Sequence, residues 1–308
     1  MNELKKEYDV IIIGGGPAGL SAGIYTARAR LKTLLIEKGA VGGQIINAEL
    51  VENYAGFKDG ISGIDLMMAM QDQAAKFGVE ILPDEVTSIA VKGKGKIVKT
   101  SQGDFSAKAL IIAGGSERQK TGAPGEKEYT GKGVSYCATC DGAFFRDKVV
   151  AVLGGGNSAV TEAIELTKFA SKIYLIHRRN ELRATKILQE KLLADARIQP
   201  VWDTVLEEIK GDKFVNKIKI KNVKTNAVTE LDVDGVFVAV GTQPATGYLK
   251  GIVNLDANGS VIINDKLETN VPGIFAAGDI RSGSIRQVIG AAGDGAMAAV
   301  NAGKYISE

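Results

Sequence analysis

The sequence has only one histidine and two cysteines among its 308 residues, and these shortages exclude several kinds of site. His177 cannot form a histidine-rich metal site alone, and a structural zinc usually takes about four ligands. A small disulfide-rich scaffold needs more than one cysteine pair, and here the pair is Cys137 and Cys140. The absence of any apolar run of about 18 residues argues against a membrane-spanning helix. Residues 1–9 mix Lys with Glu and Asp and lack the apolar core of a signal peptide, which predicts a soluble, cytoplasmic protein.

The net charge and the proline content are also low. The net charge of +2 is too small to favour nucleic acid or an anionic membrane as a partner. Six prolines rule out a proline-rich linker, whereas glycine is abundant, 38 residues or about 12% against a usual 7% or so. Such an excess without a collagen period indicates tight turns where the backbone approaches another group closely. At roughly 150 residues per domain, the length predicts two domains.

The first 37 residues read as a β-α-β unit. Residues 8–14 (YDVIIIG) form a continuous apolar run, typical of a strand buried on both faces of a parallel sheet. The run enters GGGPAG, a G-x-G-x-x-G that begins at Gly14, and a helix is predicted over residues 20–30. A second strand over residues 32–36 is followed by Glu37.

The same pattern returns 140 positions later. Residues 148–154 (KVVAVLG) enter GGGNSA, a G-x-G-x-x-A that begins at Gly154. A helix is predicted to about residue 170, and a strand over 172–176 precedes His177. Glu37 and His177 each lie 23 positions past the first glycine, and this agreement makes two dinucleotide-binding units a much stronger prediction than either motif alone.

Further strands complete an α/β architecture. Apolar runs at 109–114, 236–241 and 274–278 end in glycine-containing turns. Residues 86–100 and 213–223 alternate in character and predict antiparallel meanders. A surface helix is predicted over 65–77.

The two glycine motifs predict different nucleotides. Glycines let a pyrophosphate approach the free N–H groups at a helix N-terminus. Glu37 stands where an acid accepts hydrogen bonds from an unphosphorylated ribose. The second unit instead has Arg178, Arg179 and Arg183 nearby, whose guanidinium groups suit a 2′-phosphate and favour NADP. The competing interpretations are a glycine turn that only packs a helix on a sheet and a solvated basic turn.

Cys137 and Cys140 form a C-x-x-C that is followed by Asp141. In a cytosolic protein this pattern is a redox pair or half of a metal site. Disulfide exchange needs a thiolate and a proton donor for the departing sulfur, and Asp141 is a candidate for that role. Two inert buried thiols, and a turn residue in place of an acid, remain the alternatives.

A nicotinamide gives up a hydride, and a flavin is the carrier that accepts a hydride and passes electrons to sulfur. The residues therefore predict FAD at the first motif and NADPH at the second.

The sequence resembles the low-molecular-weight, bacterial-type NADPH-dependent thioredoxin reductases. The resemblance rests on YCATCDG, GGGNSA and HRRNELRA, and it extends to GGGPAG, GGQ, ENY, GIFAAGD and RQV along nearly the whole chain. It implies a homodimer in which each subunit has two Rossmann-like three-layer α/β domains. The FAD domain would comprise residues 1–116 plus 246–308, and the NADPH domain, with the C-x-x-C, would be inserted at 117–245. Residues 117–119 and 241–244 would connect them, thioredoxin would be the protein substrate, and the small domain would rotate.

The resemblance also implies roles for residues. Cys140 would lie nearer the flavin, Cys137 would attack thioredoxin, and Asp141 would act as acid and base. At the flavin end, Gly43, Gln44 and Asn53 would line the flavin side, Asp279 would hold the ribityl chain and Gln287 would hold the isoalloxazine edge. The predicted FAD-binding residues are Gly14, Gly16, Pro17, Ala18, Gly19, Glu37, Lys38, Gly42, Gly43, Gln44, Asn53, Ala113, Gly114, Gly278, Asp279, Arg286, Gln287 and Val288. The predicted NADPH-binding residues are Gly154, Gly156, Asn157, Ser158, Ala159, His177, Arg178, Arg179 and Arg183. No metal is predicted, and His177 is either part of the ribose corner or structural.

The sequence departs from the family pattern at three places. Ala55 follows ENY where proline is frequent, and Gly15 stands in the first motif where serine or alanine is usual. Gly114 replaces a usual threonine. The last change removes a threonine hydroxyl near the FAD or the domain crossover. It puts the fine adjustment of the site in doubt but not the class of reaction.

Two rival functions remain open. One keeps the flavoprotein but delivers electrons to a glutaredoxin-like or peroxiredoxin-linked protein or to oxygen, or takes them from another donor such as ferredoxin. The other is a dinucleotide-sensing module whose cysteine pair binds zinc together with a second subunit.

Overall fold

The computed structural model describes residues 6–308, so part of the N-terminal segment examined for a signal peptide lies outside the described residues. The chain divides into two compact units, residues 1–117 with 243–308 and residues 118–242. The domain limits of 1–116 plus 246–308 and 117–245 stay a prediction.

Unit 1 begins with the elements of the first glycine motif. Its first part contains β1 (Lys6–Ile13), α1 (Pro17–Arg28), β2 (Thr33–Glu37), a short 3-10 helix (Gly43–Asn47), α2 (Gly63–Lys76), β3 (Glu80–Pro83), β4 (Ser88–Lys92), β5 (Gly95–Thr100) and β6 (Gly103–Ile112). Strand β7 (Ser116–Arg118) follows at the boundary.

Unit 2 holds the second motif and the cysteine pair. Its elements are β8 (Val134–Ser135), α3 (Ala138–Asp141), a 3-10 helix (Gly142–Phe145), β9 (Val149–Leu153), α4 (Asn157–Leu166), β10 (Lys172–Ile176), α5 (Lys186–Leu193), β11 (Ile198–Val201), β12 (Thr204–Gly211), β13 (Val215–Asn222), β14 (Val228–Asp232) and β15 (Gly235–Val238). Strand β16 (Thr242–Pro244) at the second boundary pairs with β7 in a two-stranded sheet. The chain then returns to unit 1 with 3-10 helices at Gly247–Leu249 and Gly278–Ile280, strand β17 (Ile274–Ala276) and α6 (Val288–Ser307).

Unit 1 is built on a mixed sheet with a parallel core, and unit 2 on a parallel sheet. The unit 1 sheet has the order β3-β2-β1-β6-β5-β4, with β17 also paired to β6. In unit 2 the order is β11-β10-β9-β15-β8, and β12-β13-β14 form a separate antiparallel sheet. The two predicted meanders are thus confirmed, since β4 and β5 are antiparallel as well.

The central strands are buried on both faces, as their uninterrupted apolar runs predict. In β1, Val10 and Ile12 enter one core cluster whereas Ile11 and Ile13 enter the other. Strand β9 of unit 2 divides its residues between two clusters in the same way. Other elements therefore cover both faces of each sheet, and the glycine turns lie at the carboxyl ends of these strands.

Helix limits differ from the predicted ones by a few residues. Helix α1 begins at Pro17, three residues early, because proline is favoured in the first turn. It ends at Arg28, and Arg30 adopts a left-handed conformation with φ of 62°. Helix α4 ends at Leu166, before the predicted residue 170. The predicted surface helix is confirmed as α2, which buries Leu66, Met67 and Met70.

Candidate functional site

The first glycine turn has little room for side chains where it meets the sheet. Gly14 has a φ of 109°, and a Cβ there would lie 2.3 Å from the Ala113 carbonyl oxygen. A Cβ on Gly19 would lie 1.8 Å from the Gly14 carbonyl oxygen, so α1 packs directly on the turn. Gly16, the N-cap of α1, has no side-chain cap, and a Cβ on it would make only an ordinary contact, 3.9 Å from the Gly43 Cα. The uncapped N–H groups and the open face fit a pyrophosphate.

Glu37 is held beside this turn by two backbone donors. The Gly15 N–H donates to Oε2 at 2.6 Å and the Gly39 N–H donates to Oε1 at 2.8 Å. Lys38 forms an ion pair with Glu117 at 2.7 Å. A carboxylate fixed at the end of β2 fits the hydroxyl groups of an unphosphorylated ribose.

Residues predicted for the flavin end are brought together from distant parts of unit 1. The Asn53 amide donates to Gln287 Oε1 at 2.8 Å, across 234 residues of sequence. Gln44 donates to the Ser116 carbonyl oxygen. Burial raises the pKa of Asp279, while a hydrogen bond from Ser284 and the nearby Arg286 and Arg281 oppose that rise.

The remaining predicted FAD residues occupy turns and helix starts. Pro17 and Ala18 lie in the first turn of α1, Gly42 and Gly43 lead into the 3-10 helix, Ala113 and Gly114 follow β6, and Gly278, Arg286 and Val288 surround the start of α6. Their roles as ligands stay predictions.

The second glycine turn repeats the first. Gly154 has a φ of 137°, and a Cβ there would lie 2.3 Å from the Ala239 carbonyl oxygen. Gly156 is the uncapped N-cap of α4, and a Cβ on it would meet nothing within 4 Å. Asn157 accepts a hydrogen bond from the Thr185 N–H at 2.8 Å, and Ser158 is exposed in the same turn. This turn fits a second pyrophosphate.

His177 is buried beneath that turn, with 4% of its surface exposed. A Cβ on Gly155 would lie 2.5 Å from the imidazole Cε1 and Nδ1 atoms. Burial lowers the pKa of His177, and the charges of Arg183, Arg179 and Arg178 lower it further. A neutral imidazole that supports the backbone is the role this arrangement favours.

Arg178, Arg179 and Arg183 cluster around His177 and are all exposed. Within residues 6–308, no carboxylate lies in ion-pair range of any of the three. Three unpaired guanidinium groups at the ribose corner fit the doubly charged 2′-phosphate of NADPH.

Cys137 and Cys140 are joined by a disulfide, with an S–S distance of 2.07 Å. Cys137 is the N-cap of α3, and its sulfur accepts a hydrogen bond from the Cys140 N–H at 3.2 Å. Cys140 is exposed and Cys137 is half-buried. Sulfurs that are bonded to each other cannot hold zinc, so this form fits a redox pair.

Ser135 is a residue of the redox site that the motifs did not reveal. Its buried hydroxyl donates to Asp141 Oδ2 at 2.6 Å and accepts from the Cys137 N–H at 3.1 Å. Its position two residues before the first cysteine was the only signal in the sequence. Ser135 therefore orients Asp141 and the start of the redox turn together.

Glu162 on α4 is a second residue that sequence reasoning missed. Its Oε1 accepts from Arg118 at 2.6 Å, whereas Oε2 is buried without a partner. Burial raises the pKa of Glu162 to about 7, against the pull of Arg118. The sequence pattern of α4 does not show that the Glu162 carboxylate is buried with one oxygen unpaired, since that depends on the elements packed against the helix.

This raised pKa predicts a stability that depends on pH. Because the native state takes up a proton that the unfolded state releases, the free energy of unfolding falls as pH rises between 4.5 and about 7. The slope from one group is at most about 1.4 kcal/mol per pH unit. Urea unfolding at several pH values checks it: Glu162→Gln should remove that part of the slope, and an unchanged slope would contradict the assignment.

Two neighbouring glycines provide a matched test of the second turn. Gly155→Ala forces a methyl group into the buried His177 ring and should lower the free energy of unfolding by about 1–3 kcal/mol. Gly156→Ala meets open space, so it should weaken NADPH binding with little loss of stability. Denaturant unfolding without nucleotide measures the first effect and NADPH titration the second. Equal stability of the two variants would mean that His177 does not support the turn.

Comparison with known proteins places the chain in a family. The family model for pyridine nucleotide-disulphide oxidoreductases matches residues 8–295. The chain belongs to this family. It is also 47% identical to the thioredoxin reductase of Peptoclostridium litorale, over 99% of both chains.

Solved structures of family members match as well. The crystal structure of Lactococcus lactis thioredoxin reductase in its FR conformation superposes with a TM-score of 0.95 at 45% identity, covering 97% of this chain and 99% of that one. The thioredoxin reductase of T. acidophilum gives 0.92 at 36% identity, over 97% and 99%. The predicted fold of two Rossmann-like domains and the predicted resemblance are thereby confirmed. As a pyridine nucleotide-disulphide oxidoreductase, the chain is an oxidoreductase of the flavoprotein disulfide reductase class, and it uses FAD and NADPH.

Proposed function

We propose that the chain is an NADPH-dependent thioredoxin-disulfide reductase. The observation that carries the proposal is the Cys137–Cys140 disulfide, formed in the unit that also presents a glycine turn and an unpaired arginine cluster. FAD, when bound in unit 1, supplies the chemistry that takes a hydride from NADPH and delivers two electrons to a disulfide. The net reaction consumes NADPH, a proton and oxidised thioredoxin, and it yields NADP⁺ and the thioredoxin dithiol.

The chain's own residues hold the nucleotides and exchange the disulfide. Glu37 and the glycine turn hold the FAD dinucleotide, and Arg178 and Arg179 hold the 2′-phosphate of NADPH. Once Cys137 and Cys140 are reduced, the Cys137 thiolate attacks the thioredoxin disulfide and releases one thiolate, which takes a proton. Cys140 then attacks the mixed disulfide, which reforms the Cys137–Cys140 bond and frees the second thioredoxin sulfur. Asp141, oriented by Ser135, supplies and recovers protons in these steps.

The surface near the cysteine pair favours a protein as the disulfide substrate over a small molecule. Phe144, four residues past Cys140, is 76% exposed and follows exposed Ala143. An exposed aromatic ring next to a redox centre suits burial against a protein partner.

Phe144 therefore provides a prediction about the partner. Phe144→Ala should raise KM for thioredoxin by about tenfold and leave reduction of the small disulfide 5,5′-dithiobis(2-nitrobenzoate) unchanged. Val228→Ala removes an exposed side chain, 47% exposed, elsewhere on unit 2 and is the control. An unaltered KM for thioredoxin in the Phe144 variant would place the partner surface elsewhere.

A homodimer and a cytoplasmic location belong to the same proposal. The resemblance to the family supports the homodimer, and sedimentation analysis tests it. No helix within residues 6–308 is long and apolar enough to cross a membrane. The proposal includes no nucleic acid and no membrane as a partner.

An anaerobic spectral titration tests the whole electron path. We expect a yellow protein that NADPH bleaches more readily than NADH and that oxidised thioredoxin recolours. Bleaching without recolouring would favour a glutaredoxin-like or peroxiredoxin-linked partner. A yellow protein that NADPH does not bleach would indicate another donor, and a colourless protein that cannot take up FAD would overturn the proposal.

A further inference from the structure

A buried ion pair joins Arg281 to Asp294 in unit 1, outside every motif of the sequence. Asp294 lies on α6, and 8% of its surface is exposed. Arg281 Nε donates to its Oδ2 at 2.6 Å, and Arg281 Nη2 donates to its Oδ1 at 2.8 Å. This two-point contact fixes both side chains in one geometry.

The pair also holds the backbone at the end of β17. The Gly278 N–H donates to Asp294 Oδ2 at 3.0 Å. Gly278 has a φ of 79°, and a Cβ there would lie 3.0 Å from the Ala18 Cβ in the first turn of α1. Asp294 thus holds a glycine whose left-handed conformation leaves no room for a side chain beside the start of α1, and the next residue is Asp279.

Charge links the pair to Asp279 as well. Asp294 raises the pKa of Asp279, whereas Arg281 lowers it. Without Arg281, the half-buried carboxylate of Asp279 would lie near the carboxylate of Asp294 without compensation, which disfavours the charged form of Asp279. With Arg281 in place, the charge of Asp294 is balanced and the Asp279 side chain lies beside a neutral ion pair.

We propose that Arg281 and Asp294 are a positioning pair for FAD, which present Gly278 and Asp279 to the flavin end of the cofactor. The proposal rests on the proposed function, since it takes the family role of Asp279 as given. A buried ion pair loses much of its attraction to desolvation, so its main contribution is the orientation it imposes rather than net stability.

The decisive variant removes both charges at once. In Arg281→Met with Asp294→Leu neither charge of the pair is left unpaired, so the chain should still fold, with a modest loss of stability because the Gly278 N–H no longer has an acceptor. Asp294→Asn keeps an acceptor for the Gly278 N–H and should have an intermediate effect. Asn301→Ala, which removes a 2.9 Å hydrogen bond from α6 to the Lys266 carbonyl oxygen, is the control at the other end of the helix.

Release of FAD from the diluted holoenzyme, followed by flavin fluorescence, gives the main readout. We expect the double variant to release FAD roughly tenfold faster or more and to shift the absorption spectrum of the bound flavin, while the FAD-free chain still unfolds cooperatively with only a modest loss of stability. Unchanged release and an unchanged spectrum in the double variant would overturn the proposal. Equally fast release in the Asn301→Ala control, at a similar loss of stability of the FAD-free chain, would also overturn it. A wild-type chain that binds no FAD would instead contradict the proposed function.

Discussion

Cys140→Ser should abolish the reduction of thioredoxin by NADPH, a loss of roughly a thousandfold or more, and leave reduction of the bound flavin by NADPH intact. The reason is that the Cys137 sulfur bonds directly to the Cys140 sulfur, and serine cannot replace that bond. Hydride transfer uses the nucleotide sites, which the substitution does not touch. Stopped-flow absorbance of the flavin and a thioredoxin turnover assay measure the two steps separately.

Thr139→Ala is the matched control, since Thr139 lies exposed between the two cysteines. It should keep both activities. If Cys140→Ser also prevented flavin reduction, the division of roles between the cysteine pair and the nucleotide sites would be wrong.

Replacement of both Arg178 and Arg179 by alanine should weaken NADPH binding by about a hundredfold and NADH binding by less than threefold or so. A charge-assisted hydrogen bond to phosphate is lost at each position, and NADH has no phosphate there. Kd values for the two nucleotides, measured on the same preparation, give the ratio that decides the matter.

Lys213→Ala removes one positive charge from an exposed position of the same unit and corrects for the general electrostatic effect. Equal losses for NADPH and NADH would mean that the arginines do not contact the 2′-phosphate. High salt should reduce the difference between the nucleotides, because exposed charges are screened.

Local spacing was sufficient to predict both glycine turns, since each motif follows a buried strand and precedes a helix. The sequence could not predict that Gly14 packs on the Ala113 carbonyl and Gly154 on the Ala239 carbonyl. Those contacts join residues 99 and 85 positions apart, and they depend on which strands pair. Periodicity within a segment carries no information about such pairing.

Residues that act through others were the least predictable. Ser135 belongs to no motif, and its contact with Asp141 depends on the short turn between them. Arg281 and Asp294 are ordinary charged residues in the sequence, and only the packing of α6 brings them together. The sequence predicts His177 either at the ribose corner or in a structural role. Its burial under Gly155 supports the structural role, and its neighbouring arginines keep it at the ribose corner.

The two glycine turns differ at their sixth position, and that difference limits how far the two units can exchange parts. Gly19 leaves no space for a methyl group, whereas the Ala159 Cβ occupies the equivalent place and would lie 2.8 Å from a Cβ on Gly154. Helix α4 must therefore stand slightly farther from its turn than α1 does. A graft of the second turn into the first is therefore expected to fail at that single methyl group.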